Sequence, residues 1–292
     1  MLHIVTVHHR NDAWIDRQLR QFQRHLTCPY KVWASLEGIP DIHVPKFDVV
    51  VPASGDHTGK LNLIAAEIAF REDPSDLLMF LDGDAFLVDN PFPACETLLD
   101  QYDLIAVQRP ENAGDIQPHP SFAVLRVRTW SELNGDWSMG YQWENGSGEK
   151  VSDAGGNLLR AIERTGNSWF PLLRSNQREF HPLWFGIYCD MVYHHGAGFR
   201  IPFSRNDLIS SKMPSRWRTG NRIQRWFFSL GFRMLVRRGA KLSSSVFTLL
   251  EEDQDRTIDY LRGEDYMLGD AAFKEKIRNL SRKGSLRVPK NS

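Results

Sequence analysis

Only three of the 292 residues are cysteine. Cys28, Cys95 and Cys189 lie far apart and form no Cys-x-x-Cys pair, which argues against a zinc ribbon and a disulfide framework and is expected of a protein in a reducing compartment. Net charge is lacking too. Thirty-six basic residues cancel 36 acidic ones, so no global field draws the chain to nucleic acid. No run approaches the ~18 uninterrupted apolar residues of a membrane span, and the first residues lack the basic region and cleavage site of a signal peptide. The expected location is cytoplasmic, if membrane-associated then at the inner face. Repeats and low-complexity tracts are missing as well. What is present, 41% hydrophobic and 25% charged residues, is an ordinary globular composition with room for one large α/β domain and an appendage.

Hydrophobic periodicity supplies the elements. Leu2 to Val7 reads as a β-branched strand. After a polar loop, Ile15, Leu19, Phe22 and Leu26 follow helical spacing. Tyr30–Leu36, Phe47–Val51, Leu77–Leu81, Leu104–Gln108, Phe122–Val127 and Ile187–Tyr193 are strand candidates, and Lys60–Phe70 and Ala154–Arg164 are helical. Strands alternating with helices predict a mostly parallel sheet covered on both faces, with ligands at the carboxyl ends of the strands.

The most informative segment is the apolar run Leu77–Leu81 followed by Asp82-Gly83-Asp84. In extended backbone, residues two apart project to one side, so both carboxylates can converge on one cation while Gly83 admits a ligand to the backbone. Hard carboxylate oxygens suit Mn²⁺ or Mg²⁺. A solvated Asp-Gly-Asp turn is the alternative. A late segment, Tyr193-His194-His195-Gly196-Ala197-Gly198-Phe199-Arg200-Ile201-Pro202, adds imidazoles that can complete a carboxylate-held metal, and Gly196, Gly198 and Arg200 that can embrace phosphate.

Together these motifs resemble the metal-dependent glycosyltransferases of the GT-A fold, which use nucleotide-sugar donors. His195 through Pro202 is similar to the His-x-x-Gly-x-x-Lys-Pro element of family 8, with one residue fewer before the cation and arginine for lysine. Phe122–Trp130 resembles the strand and tryptophan helix that follow the acidic motif in such enzymes. The resemblance implies a GT-A-type (Rossmann-like) catalytic domain over 1–204. It implies Asp84 as a metal ligand, Asp82 as a ligand of the metal, the donor ribose or both, and one of His194 and His195 closing the site, the Gly-x-Arg spacing inclining to His195. It further implies nucleotide contacts from Thr6 and His8, a cationic donor contact from Lys60, and a sugar or acceptor contact from Asp153, which also reads as the cap of its helix. The expected ligands are Mn²⁺ or Mg²⁺, a UDP- or GDP-linked sugar, and a glycan or lipid-linked acceptor.

The metal, Arg200 and Lys60 would then neutralise the departing diphosphate. Inversion needs a carboxylate base, Asp153 ahead of Glu144 and Glu149; the family 8 likeness favours retention. Trp137, Tyr141 and Trp143 among the glycines of Asn134–Ser152 read as a mobile aromatic acceptor loop. The remainder, 205–292, reads as a helical appendage: ten basic residues against Asp207 between Arg205 and Lys241, then an acidic Glu251–Asp270. An amphipathic basic helix over 215–241 is expected to touch a membrane surface or pack on the catalytic domain. Two rivals remain, a haloacid-dehalogenase-like phosphatase, whose Thr or Val is Phe86 here, and a non-catalytic nucleotide- or glycan-binding protein.

Overall fold

The computed structural model describes residues 1–112, 114–144, 148–176, 185–196 and 248–262. In chain order these form β1 (Leu2–His9), α1 (Ile15–His25), β2 (Tyr30–Glu37), a 3-10 segment (Asp41–Lys46), β3 (Val49–Val50), α2 (His57–Arg71), β4 (Leu77–Leu81), β5 (Ala85–Leu87) and α3 (Phe92–Leu99). There follow β6 (Leu104–Val107), β7 (His119–Arg126), α4 (Val127–Glu132), β8 (Trp143–Glu144), β9 (Lys150–Val151), α5 (Gly156–Thr165), β10 (Trp169–Leu172), β11 (Gly186–Tyr188), β12 (Val192–His194) and α6 (Gln254–Arg262).

Seven strands make the central sheet in the order β10-β6-β7-β4-β1-β2-β3. Only β7 runs antiparallel to its neighbours, β4 and β6. The expected mostly parallel α/β architecture is therefore the observed one. Alternation along β1 sends Leu2 and Ile4 into one apolar layer with Ile15 and Phe22 of α1 and Cys95 of α3. Val5 and Val7 enter the opposite layer with Leu61 and Ile64 of α2, Trp130 of α4 and Leu158 of α5. Both faces of the strand are buried, as a central parallel strand requires.

The chain leaves β1 toward β2 and β3, then returns to the other side of β1 as β4. Such a reversal of strand order opens a crevice at the carboxyl ends of the two strands. His8 and His9 end β1 there, and Asp82 follows β4.

Two expectations need correction. Ile187–Tyr193 is a hairpin, not one strand. Cys189 and Asp190 take φ of 48° and 58° and Met191 N–H closes the turn on Tyr188 O, so β12 doubles back along β11. Two positive-φ residues are what a type I′ turn demands, and Cys-Asp advertises it far less than Asn-Gly. Nor do the aromatics between Asn134 and Ser152 form an exposed platform. Trp137 is fully buried and Trp143 nearly so, while the Tyr141 hydroxyl donates to Glu163. Gly135 is there for contact: a Cβ would fall 2.2 Å from the Trp130 ring.

Of the expected appendage, the described part is 248–262. Leu250, Ile258 and Leu261 are buried, and Asp255 takes a two-pronged hydrogen bond from Arg24 of α1. The 204/205 boundary and the 215–241 helix lie outside the described residues. No helix among the described residues is long and apolar enough to cross a membrane.

Candidate functional site

Beyond Leu81 the chain turns at once: Ala85 N–H donates to Asp82 O at 2.9 Å, and β5 leaves antiparallel to β12 with Ala85 opposite His194. That register carries an imidazole to the carboxylates. His194 Nε2 lies 3.3 Å from Asp84 Oδ1 and 3.5 Å from Asp82 Oδ2. Ligand atoms of Asp82, Asp84 and His194 all fall within 4.8 Å of one another.

The two adjacent histidines point to opposite faces, as strand neighbours must. The geometry brings His194 to the pair, against the spacing argument for His195. His195 is fully buried, its Nδ1 2.9 Å from the Tyr193 hydroxyl and its ring 4.5 Å from that of Trp14. Burial lowers its pKa to about 3, partly offset by the Asp84 charge.

Gly83 lines the cavity and is also required by packing. A Cβ there would lie 2.3 Å from Val7 O and 2.9 Å from His8 Nδ1, so a side chain would push the carboxylate turn off β1. Thr6 is fully buried beneath the crevice and is not among the residues lining it; His8 is among them.

Lys60 faces the cavity with its ammonium on Glu37, a carboxylate that also meets His9 Nδ1 at 3.4 Å. The helix it belongs to starts earlier than the periodicity indicates, because Asp56 caps α2 by accepting from Gly59 N–H. Asp153, expected to cap α5, does not: the cap position is Gly155. Its carboxylate instead lines the cavity and accepts from Arg109 at 3.0 Å. Glu144 is exposed and Glu149 half-buried, and neither reaches the cavity. Gly198 and Arg200 lie outside the described residues.

Two histidines escaped the sequence reading. His57, at the start of α2, places Nε2 2.8 Å from Asp82 Oδ1; burial lowers its pKa, but the Asp82 charge and hydrogen bond outweigh this and leave it raised. His119, at the start of β7, accepts at Nδ1 from Ser121 N–H, so its proton sits on Nε2, on the cavity wall. Burial, then the Arg109 charge, hold its pKa well below the usual value. Neither residue belongs to a local motif.

The cavity measures about 590 Å³, within the ~300–1,000 Å³ of small-molecule sites. Two carboxylates and one imidazole are a donor set suited to Mn²⁺, which accepts nitrogen beside oxygen, more than to Mg²⁺. Two carboxyl groups this close, only 11% and 15% exposed, gain from a cation between them. A second cluster, His3, Glu72 and Asp76, offers no such fit. Trp33 Nε1–H donates to His3 Nδ1, leaving the proton on Nε2 to donate to Asp76, while Lys31 and the terminal amine supply the positive charge.

Burial lowers His8 from 6.5 to about 4, opposed by its contact with Gln18 and the Asp84 charge. The unfolded chain takes this proton more readily, so the stability due to neutral His8 is complete above pH 6.5 and is lost as pH falls toward about 4. Asp115 acts with the opposite sign. Burial raises it from 3.8 to about 6 against the pull of Arg109, and its contribution is lost as pH rises across that interval. Comparison with His8→Gln cancels the Asp115 effect. The wild type should lose more melting temperature than the variant between pH 6.5 and about 4; equal losses would contradict a buried neutral His8.

A scan against protein families found no match, and a search of curated proteins found no similar sequence. Among solved structures, the chain is similar to the 1–349 piece of TarS from S. aureus, at 11% identity and a TM-score of 0.41, over 97% of this chain and 91% of that one. It is also similar to the glycosyltransferase GlyE of Streptococcus pneumoniae TIGR4, at 14% identity and a TM-score of 0.40, over 58% of this chain and 44% of that one. A third match is the galactosyltransferase LgtC, at 10% identity and a TM-score of 0.34, over 58% of this chain and 73% of that one. The chain spans 30% of a longer TarS structure. At such similarity the chemistry has to come from the side chains themselves.

Proposed function

We propose that the chain is a metal-dependent glycosyltransferase that moves a sugar, with retention, from a UDP- or GDP-linked donor to a hydroxyl of a glycan or lipid-linked acceptor. One observation carries this reading: Asp82, Asp84 and His194 converge in a cavity at the switch point of the sheet. Asp84 and His194, with Asp82, would hold the cation. Bound there, a divalent cation supplies positive charge against the diphosphate oxygens.

The reaction breaks the bond between the sugar's anomeric carbon and the diphosphate and forms one to the acceptor oxygen; the acceptor proton leaves with the diphosphate. The chain's own residues position and stabilise. His57 fixes Asp82 from one side. His119 presents an Nε2–H donor for a donor or acceptor oxygen. Lys60 adds positive charge at the α2 end, tempered by Glu37. Asp153, oriented by Arg109, accepts from a sugar hydroxyl. What favours retention is that Asp153 is already engaged by a guanidinium, while Glu144 and Glu149 lie off the cavity.

His194→Ala and His195→Ala should separate cleanly. The first is expected to weaken Mn²⁺ binding roughly 10–100-fold with little change in melting temperature. The second should mainly lower the melting temperature, because it empties a buried site beside Trp14 and Tyr193. Calorimetric Mn²⁺ titration and thermal denaturation of both variants check this, and the reverse pattern would exchange their roles.

The function itself is tested by thermal denaturation with UDP, GDP and their sugars, with and without Mn²⁺. A ligand at ~100 times its dissociation constant stabilises by ~2.7 kcal/mol. A shift needing nucleotide and Mn²⁺ together is expected. Protection by nucleotide that is indifferent to the metal, or none at all, overturns the reading.

A further inference from the structure

The turn that carries Asp82 and Asp84 is fastened mostly by backbone. Asp82 N–H donates to Ser121 O, Ala85 N–H to Asp82 O, and His195 N–H to Asp84 O. Where His57 holds the Asp82 carboxylate, another side chain takes the backbone of the turn. Gln18 of α1, fully buried, donates through Nε2 to Asp82 O at 2.9 Å and to Ala85 O at 2.8 Å. Both amide hydrogens are thus spent on the two ends of the turn, and the amide also interacts with His8 at the end of β1.

The geometry points to Gln18 as a positioning residue of the metal site: it sets the spacing of the Asp82–Ala85 turn and hence the aim of both carboxylates at the cation. This rests on the proposed metal site. Two carbonyls held by one group require a neutral double donor of this length. Glutamate presents two acceptors to two acceptors, methionine fills the space with no donor, and asparagine falls one methylene short. With the clamp gone, the turn retains its backbone bonds and the fold persists, but Asp82 and Asp84 lose their fixed separation. Gln21, one turn later on α1 and also buried, has no bond to this turn and is the reference for a merely structural glutamine.

The experiment measures Mn²⁺ affinity directly, by the loss of the free-ion paramagnetic resonance signal on titration with the full chain. Wild type, Gln18→Met and Gln21→Met are compared, each with its thermal denaturation curve. Gln18→Met is expected to raise the Mn²⁺ dissociation constant roughly 10–100-fold, and Gln21→Met by less than about twofold. If Gln18→Met does not fold, Gln18→Asn carries the same expectation. A folded Gln18 variant that binds Mn²⁺ as the wild type does overturns the inference and leaves the proposed function standing. Failure of the wild type itself to bind Mn²⁺ overturns both. A purely structural Gln18 would lower the melting temperature with unchanged metal affinity, which also rejects the proposal.

Discussion

Asp84→Asn is expected to lower sugar transfer by roughly 10²–10³-fold, the loss that follows removal of one group stabilising charge on a leaving group. The same substitution should leave the metal-free protein as stable as the wild type, or more stable. Asp82 and Asp84 are like charges held together, with His194 3.3 Å from one and 3.5 Å from the other, and such pairs are retained for function at a cost in stability. The Mn²⁺-dependent rise in melting temperature should vanish in the variant. Full metal-dependent activity would mean that the cation, if bound, lies elsewhere. A large fall in metal-free stability would mean that Asp84 is structural.

Trp137→Ala should be the most destabilising of the substitutions considered. The indole is fully buried, edge-on to Phe80 at 5.1 Å and near Trp130 at 6.1 Å, and truncating a buried tryptophan costs ~3–5 kcal/mol. For a domain of this size each kcal/mol moves the melting temperature by ~2–4 °C, so a drop of roughly 10 °C is expected. Trp137→Phe should cost far less, because Nε1 has no hydrogen-bond partner among the described residues. The alternative, an aromatic that reaches out to acceptor sugars, predicts an unchanged melting temperature and altered acceptor kinetics. The segment is tied down as well: the Asn62 and Asn157 side chains both donate to the Asp136 carboxylate, bridging α2 and α5, and Trp137 N–H donates to Asn62 Oδ1.

The elements that place the site were legible because burial on a regular lattice writes a regular pattern. α1 shows its helical period plainly, β1 its β-branched run, and β4 is an apolar strand whose two following carboxylates mark its end. What was missed depends on contacts between distant segments. The choice between His194 and His195 turns on the register of β12 against β5, which a hairpin at Cys189 and Asp190 sets with both residues at positive φ and no glycine to mark it. His57 and His119 reach the cavity only through the packing of α2 on β1 and the pairing of β7 with β4. Asp153 had the look of a cap, and Arg109, 44 residues earlier, claims it instead. Gly83 lines the cavity as its place between the carboxylates suggests, but the close approach of Val7 O and His8 that also demands a glycine there depends on the packing of β1, which no local pattern displays.

The most direct test of the account is the anomalous scattering of Mn²⁺ diffused into crystals of the metal-free protein. The account predicts a single strong peak within bonding distance of Asp84 and His194, with Asp82 bound or bridged to it. A peak at His3, Glu72 and Asp76 alone, or none near Asp84 at saturating Mn²⁺, would contradict it.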